Sequence, residues 1–127
     1  MAVLTTVDGY QITFNPKNVS MLTDHDAGTG ASITTVYGIT KAALHISELV
    51  VAFLGRLGIA GNFAILTRPN NSSVWINGAA VSSLRAPLPN EYVQGVNTVL
   101  SVGPLDQGVT ESPAAATAAL NAHGGHL

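Results

Sequence analysis

Three groups of residues have the chemical types that bind ions or move protons. Asp24-His25-Asp26 sets two carboxylates and an imidazole side by side, donor types that take a divalent cation. Adjacent residues do not readily converge on one ion, and no fourth ligand accompanies them, so a solvated hairpin loop is the simpler reading. His123-Gly124-Gly125-His126 offers two imidazoles at the tail. The glycines between them preform no site, and chain ends tend to fray. Glu48 and Glu111 fall at matching places in the two halves of the chain, as paired acid–base carboxylates would. Their position at the start of a helix accounts for them more simply, as complements to the helix dipole.

The signatures of organised catalysis are missing from the sequence. It contains no Gly-x-Ser-x-Gly elbow, no His-Glu-x-x-His and no phosphate loop. Gly28-Thr29-Gly30 is not followed by a helix pattern, so it does not read as a dinucleotide site. The expectation is a protein that is not an enzyme and has no catalytic, cofactor-binding or metal residues. The side chains that draw the eye are apolar: Trp75, Leu88 and Tyr92 are the interface candidates. Trp75 alternates with Val74 and Ile76, so that strand is apolar on both faces and needs cover twice. Two readings stand side by side, in which Trp75 meets a partner or plugs the gap between the halves. Tyr92 and Leu88 share a proline-stiffened loop whose apolar tip suits docking.

Composition narrows the function classes. Of 127 residues, Lys and Arg number 5 and Asp and Glu 7, for a formal net charge of -2. Charged residues make up 9%, against roughly 25% in ordinary domains. Five scattered cations cannot form a basic stripe, which excludes phosphate-driven nucleic-acid binding. Cys is absent, so disulfides and thiolate sites are excluded. Met1 to Thr6 lacks the features of a signal peptide, and the greasiest stretch, Leu44 to Leu66, is interrupted by His45, Glu48, Arg56 and Asn62. No membrane association is expected. Hydrophobic residues at 46% suffice for a core, while a weakly charged exterior suits a chain packed against copies or partners.

The elements that position these residues come in two sets. Laid on itself, the sequence puts Thr5 over Thr67, Asn15 over Asn77, Val19 over Val81, Ser20 over Ser82 and Leu22 over Leu84. One residue later in register, Ile33-Thr34-Thr35-Val36 meets Val96-Asn97-Thr98-Val99, Ile46-Ser47-Glu48 meets Val109-Thr110-Glu111, and Leu57 meets Leu120. The implied fold class is α+β, mainly β: a tandem duplication of an antiparallel β unit followed by one α-helix. Repeat unit one spans 1–60 and repeat unit two spans 61–127, with Gly61-Asn62 as the linker.

In unit one, Val3 to Thr6 and Tyr10 to Phe14 flank the hairpin signal Asp8-Gly9. Asn15-Pro16 breaks a strand that resumes at Val19 to Leu22 as one long, bent element. Ala31 to Tyr37 and Ala42 to Ile46 follow as strands. Ser47 then caps a helix near 48–57 that ends at Gly58. In unit two, Phe63 to Thr67, Ser73 to Ile76 and Val96 to Val102 are strands, and Asn77-Gly78 replaces the Asn-Pro bend. Ser112-Pro113 opens a helix near 113–122 that Gly124 stops.

Two resemblances follow. Thr67-Arg68-Pro69-Asn70-Asn71, Val74-Trp75-Ile76-Asn77, Val81, Leu84, Thr98, Gly103 and Val109-Thr110-Glu111-Ser112 resemble the small flagellar proteins of the FlbD type. Asn15-Pro16, Thr35, Gly38 and Ile46-Ser47-Glu48 repeat the pattern in the first half. That likeness implies a β-rich unit with a terminal helix and a small regulatory or adaptor role. By composition and architecture the doubled chain also resembles bacteriophage head decoration or cement proteins. This second resemblance implies a virion protein assembled in the host cytoplasm. It would bind across subunits of a major capsid protein, or another virion protein, as a homo-oligomer with a trimer favoured. The mechanism would be added interface area, with sheet-edge pairing contributing.

Overall fold

A computed structural model describes residues 2–24, 34–92 and 94–127. They form two compact units, Met1–Gly61 and Asn62–Leu127. The architecture is α+β and mainly β, with several antiparallel sheets and two helices.

In the first unit, β1 (Ala2–Thr5) and β2 (Gln11–Phe14) form a hairpin whose turn places Gly9 at φ +90. Asn15 then starts a 3₁₀ turn over Pro16–Asn18, its side chain accepting the Lys17 N–H at 3.0 Å. The chain does not resume one bent strand here. β3 (Met21–Asp24) pairs with β4 (Thr34–Tyr37), not with the partner of β2, so the turn separates two strands. Proline fixes φ and the Asn side chain satisfies the backbone, and together they make a corner. β5 (Leu44–Ile46) completes the run as the second neighbour of β4, and α1 (Val50–Leu57) follows.

The helix starts later than expected, and Ser47 does not cap it. Leu49 holds the N-cap position with no side-chain bond, and Glu48 lies outside the first turn. The cause is an anchor from the sheet: the buried Thr34 hydroxyl donates to the Glu48 carbonyl at 2.6 Å, which keeps this segment extended. At the other end the expectation holds. Gly58 adopts φ +70, and Ile59 N–H returns to the Leu54 carbonyl at 3.2 Å.

The second unit repeats this order. β6 (Phe63–Thr67) and β7 (Ser73–Asn77) form a hairpin, and Asn77 starts a 3₁₀ turn over Gly78–Ala80 by accepting the Ala79 N–H at 3.1 Å. Next, β8 (Val81–Arg85) pairs with β9 (Thr98–Val102), which pairs with β10 (Leu105–Val109). β10 has no separate signal in the sequence, because Leu105-Asp106-Gln107-Gly108-Val109 alternates poorly and holds one β-branched residue. α2 (Pro113–Asn121) closes the unit, with Ser112 Oγ accepting the Ala115 N–H at 3.2 Å.

Strand register fixes the correspondence between the units. Leu22 pairs with Val36 and Leu84 with Leu100, while Thr34 pairs with Ile46 and Thr98 with Val109. Thr34 therefore corresponds to Thr98, one residue away from the Thr34–Asn97 match given by sequence alone. The chemistry agrees, because the buried Thr98 hydroxyl donates to the Glu111 carbonyl at 2.8 Å, as Thr34 does to Glu48.

Candidate functional site

Among the described residues, none of the groups that suggested ion or proton chemistry comes together as a site. His25 and Asp26 lie outside the described residues, as does Gly28-Thr29-Gly30. Asp24 is an exposed residue at the end of β3. Among the described residues no group of three His, Cys, Asp or Glu side chains is placed to hold a metal ion. Nor is any helix among them long and apolar enough to cross a membrane.

The tail that carries His123 and His126 is fastened down, contrary to the expected fraying. Gly124 takes φ +94, and Gly125 N–H bonds to the Leu120 carbonyl at 2.9 Å. The Asn121 amide grips the last residue from both sides, accepting Leu127 N–H at 2.9 Å and donating to the Leu127 carbonyl at 3.0 Å. Here the glycines allow the chain to fold back closely, and His126 points outward as an exposed side chain.

Glu48 and Glu111 are not helix-dipole partners, since neither helix has an acidic residue in its first turn. Glu48 instead makes a two-pronged ion pair with Arg56, at 2.8 and 3.1 Å, and Arg56 also donates to the Val3 carbonyl at 3.0 Å. The hydrogen bonds to Glu48 hold the Arg56 guanidinium pKa above its ordinary value. Glu111 accepts the Thr67 N–H at 3.0 Å. The two carboxylates thus occupy equivalent places with different partners: Glu111 ties the pre-helix segment directly to β6, whereas Glu48 ties it to Arg56 in the last turn of α1.

The interface candidates differ in burial. Trp75 is half-buried on β7, between buried Val74 and Ile76 and opposite Ile65 of β6. Tyr92 is half-buried. Its ring faces Gly108, where a methyl group would lie 3.4 Å from Cδ1, and burial is the first cause of its raised pKa. Leu88 projects, with 64% of its surface exposed.

The loop beneath Leu88 is built from ionic and backbone contacts. Arg85 donates twice to the Glu91 carboxylate, at 2.7 and 2.5 Å, and once to the Ala86 carbonyl at 3.3 Å. Glu91 Oε1 also accepts the Leu88 N–H at 2.8 Å, while Glu91 N–H donates to the Leu88 carbonyl at 3.1 Å. These bonds, Arg85 foremost, hold the Glu91 carboxyl at a pKa of about 2. Asn90 sits at φ +63, a left-handed conformation that asparagine tolerates better than most residues. Pro87 and Pro89 flank the leucine. The sequence offered the prolines as a signal; the Arg85–Glu91 clamp depends on a loop path that no local pattern encodes.

An open cleft of about 420 Å³ also lies in this unit, lined by Arg68, Pro69, Asn70 and Gln94. Among the described residues that line it there is no acid–base pair. The chain matches no family model, no curated protein and no solved structure.

Proposed function

We propose that this chain is a non-enzymatic structural subunit that docks onto a larger symmetric assembly, and that the assembly is a bacteriophage shell. The observation that carries the reading is the Leu88 loop. Two prolines, a left-handed Asn90 and a bidentate ion pair fix the loop, yet its leucine stays in solvent. An apolar side chain held ready in its bound geometry loses little entropy on docking, which is how a few residues come to dominate an interface. The first unit separately exposes Tyr10, Leu49 and Val51, in a chain with few charges. The major capsid protein is the partner that the decoration-type resemblance implies.

Purified particles containing this chain in regular, many-copy amounts are the expected finding. Replacing Leu88→Ser is expected to lower occupancy on the particle while leaving the thermal midpoint of the isolated chain unchanged. Particles devoid of the chain would overturn the reading. The FlbD-type order of strands and a final helix favours a regulatory adaptor as the second reading. Capture of one host protein at unit stoichiometry, with no particle binding, would select it.

A further inference from the structure

The two units treat the same sheet edge differently, and the difference exposes a pairing surface. In the β6–β7 hairpin, Arg68 N–H bonds to the Ser72 carbonyl at 2.8 Å, so Leu66 and Ala64 face β7 and Thr67 and Ile65 face the outer edge. Thr67 is occupied on that edge: its N–H goes to Glu111 and its carbonyl accepts Thr110 N–H at 2.9 Å. Ile65 has no edge partner among the described residues, β6 pairs only with β7, and the Ile65 side chain is 61% exposed. In the first unit the matching residue is Val3, because Thr5 corresponds to Thr67. There Arg56, held by Glu48, covers the edge by bonding to the Val3 carbonyl. The equivalent of Arg56 in α2 is Ala119, which has no guanidinium to offer. A charged side chain on an edge is a standard guard against strand pairing, and the second unit lacks it.

We infer that β6 is a self-pairing edge through which two copies of this chain join antiparallel about a two-fold axis near Ala64. The occupant follows from the placement of charge. β6 itself, Phe63-Ala64-Ile65-Leu66-Thr67, is uncharged, so like meets like without repulsion. The nearest carboxylate is Glu111, fixed at the Thr67 end. Parallel pairing would set the two Glu111 groups about 5 Å apart, whereas the antiparallel arrangement separates them by about 20 Å. That is beyond the screening length at ordinary salt. In the same register the residue opposite Thr67 is Gly61, where β6 has already given way to the 3₁₀ turn over Ala60–Asn62. Ile65 N–H then donates to the Phe63 carbonyl of the second copy, and the reciprocal bond follows by symmetry. The exposed Ile65 side chains, each beside its own Trp75, gain cover on the sheet face.

The test is sedimentation of the whole chain over a concentration series reaching the millimolar range, with amide exchange read in parallel. The expected result is a monomer–dimer equilibrium in which the Ile65 amide becomes protected as dimer forms. Ile65→Lys is expected to weaken association at least about tenfold. Val3→Lys, at the guarded edge, is expected to leave it unchanged. If Ile65→Lys unfolds, protection of the Ile65 amide in the wild-type chain still decides the matter. A monomer at every concentration, a trimer, or a dimer with an unprotected Ile65 amide would overturn the inference. Dimerisation without particle binding would sustain it and remove only the virion reading.

Discussion

The two units share an element order but fill it with different material. The fourth residue of α1 is Phe53, fully buried, stacked on Phe14 with ring centroids 6.1 Å apart and with the Arg56 guanidinium 5.5 Å from its own centroid. The fourth residue of α2 is Ala116, also fully buried. Where the first unit turns at Pro16, the second turns at Gly78, and a Cβ there would lie 2.5 Å from the carbonyl oxygens of Leu120 and His123. One unit spaces its helix with an aromatic ring, and the other brings helix and backbone together by omitting side chains. What they share is backbone chemistry: an Asn-started corner, a threonine clamp on the pre-helix carbonyl, and a left-handed glycine beyond the helix. The scaffold is therefore specified by polar fastenings, while packing volume is free to differ between copies.

The largest effect that would break this comparison is Phe53→Ala, which gives α1 the chemistry of α2 without the close approach that suits it. A loss of about 3–5 kcal/mol is expected on chemical denaturation, since truncation leaves a cavity beneath the helix. A loss near zero would mean that α1 can settle onto the sheet as α2 does. Next comes Gly78→Ala, where an added methyl meets backbone rather than a movable side chain. A cost of about 1–3 kcal/mol is expected, with loss of amide protection centred on Leu120 to Gly125.

The smallest effect is on pH, and it concerns the fastening of the Leu88 loop. The Glu91 carboxyl is lowered from its ordinary 4.5 to about 2. A depressed carboxylate contributes fully above its unfolded value and loses its contribution as pH falls through its folded one. The Leu88 amide resonance is therefore expected to titrate near 2. Global stability should barely respond, since Glu91 and Arg85 stand in solvent and exposed pairs contribute little. Titration near 4.5 would show that the clamp does not hold in solution.

Several elements are legible in the sequence. Asp8-Gly9 marked the first hairpin, Ser112-Pro113 marked the start of α2, and Gly58 marked the end of α1, because turn and cap preferences are local. Other features could not be read. Ser47 looked like a cap and Glu48 like a dipole partner, but Thr34, from a distant strand, holds the Glu48 carbonyl and delays the helix. The strand Leu105–Val109 took shape only through its pairing with β9, which supplies the order its own pattern lacks. Among the interface candidates, the prolines pointed to the Leu88 loop, while the inward turn of Tyr92 toward Gly108 depends on a tertiary neighbour.

By itself the sequence determined the class of the fold, its doubling in element order and the scarcity of charge, because turns, caps and composition are properties of neighbouring residues. Only the tertiary structure decided which fastenings close and which edge stays open. Arg56 and Val3 are far apart in the chain, and whether a guanidinium reaches a strand edge depends on how helix and sheet are set in space.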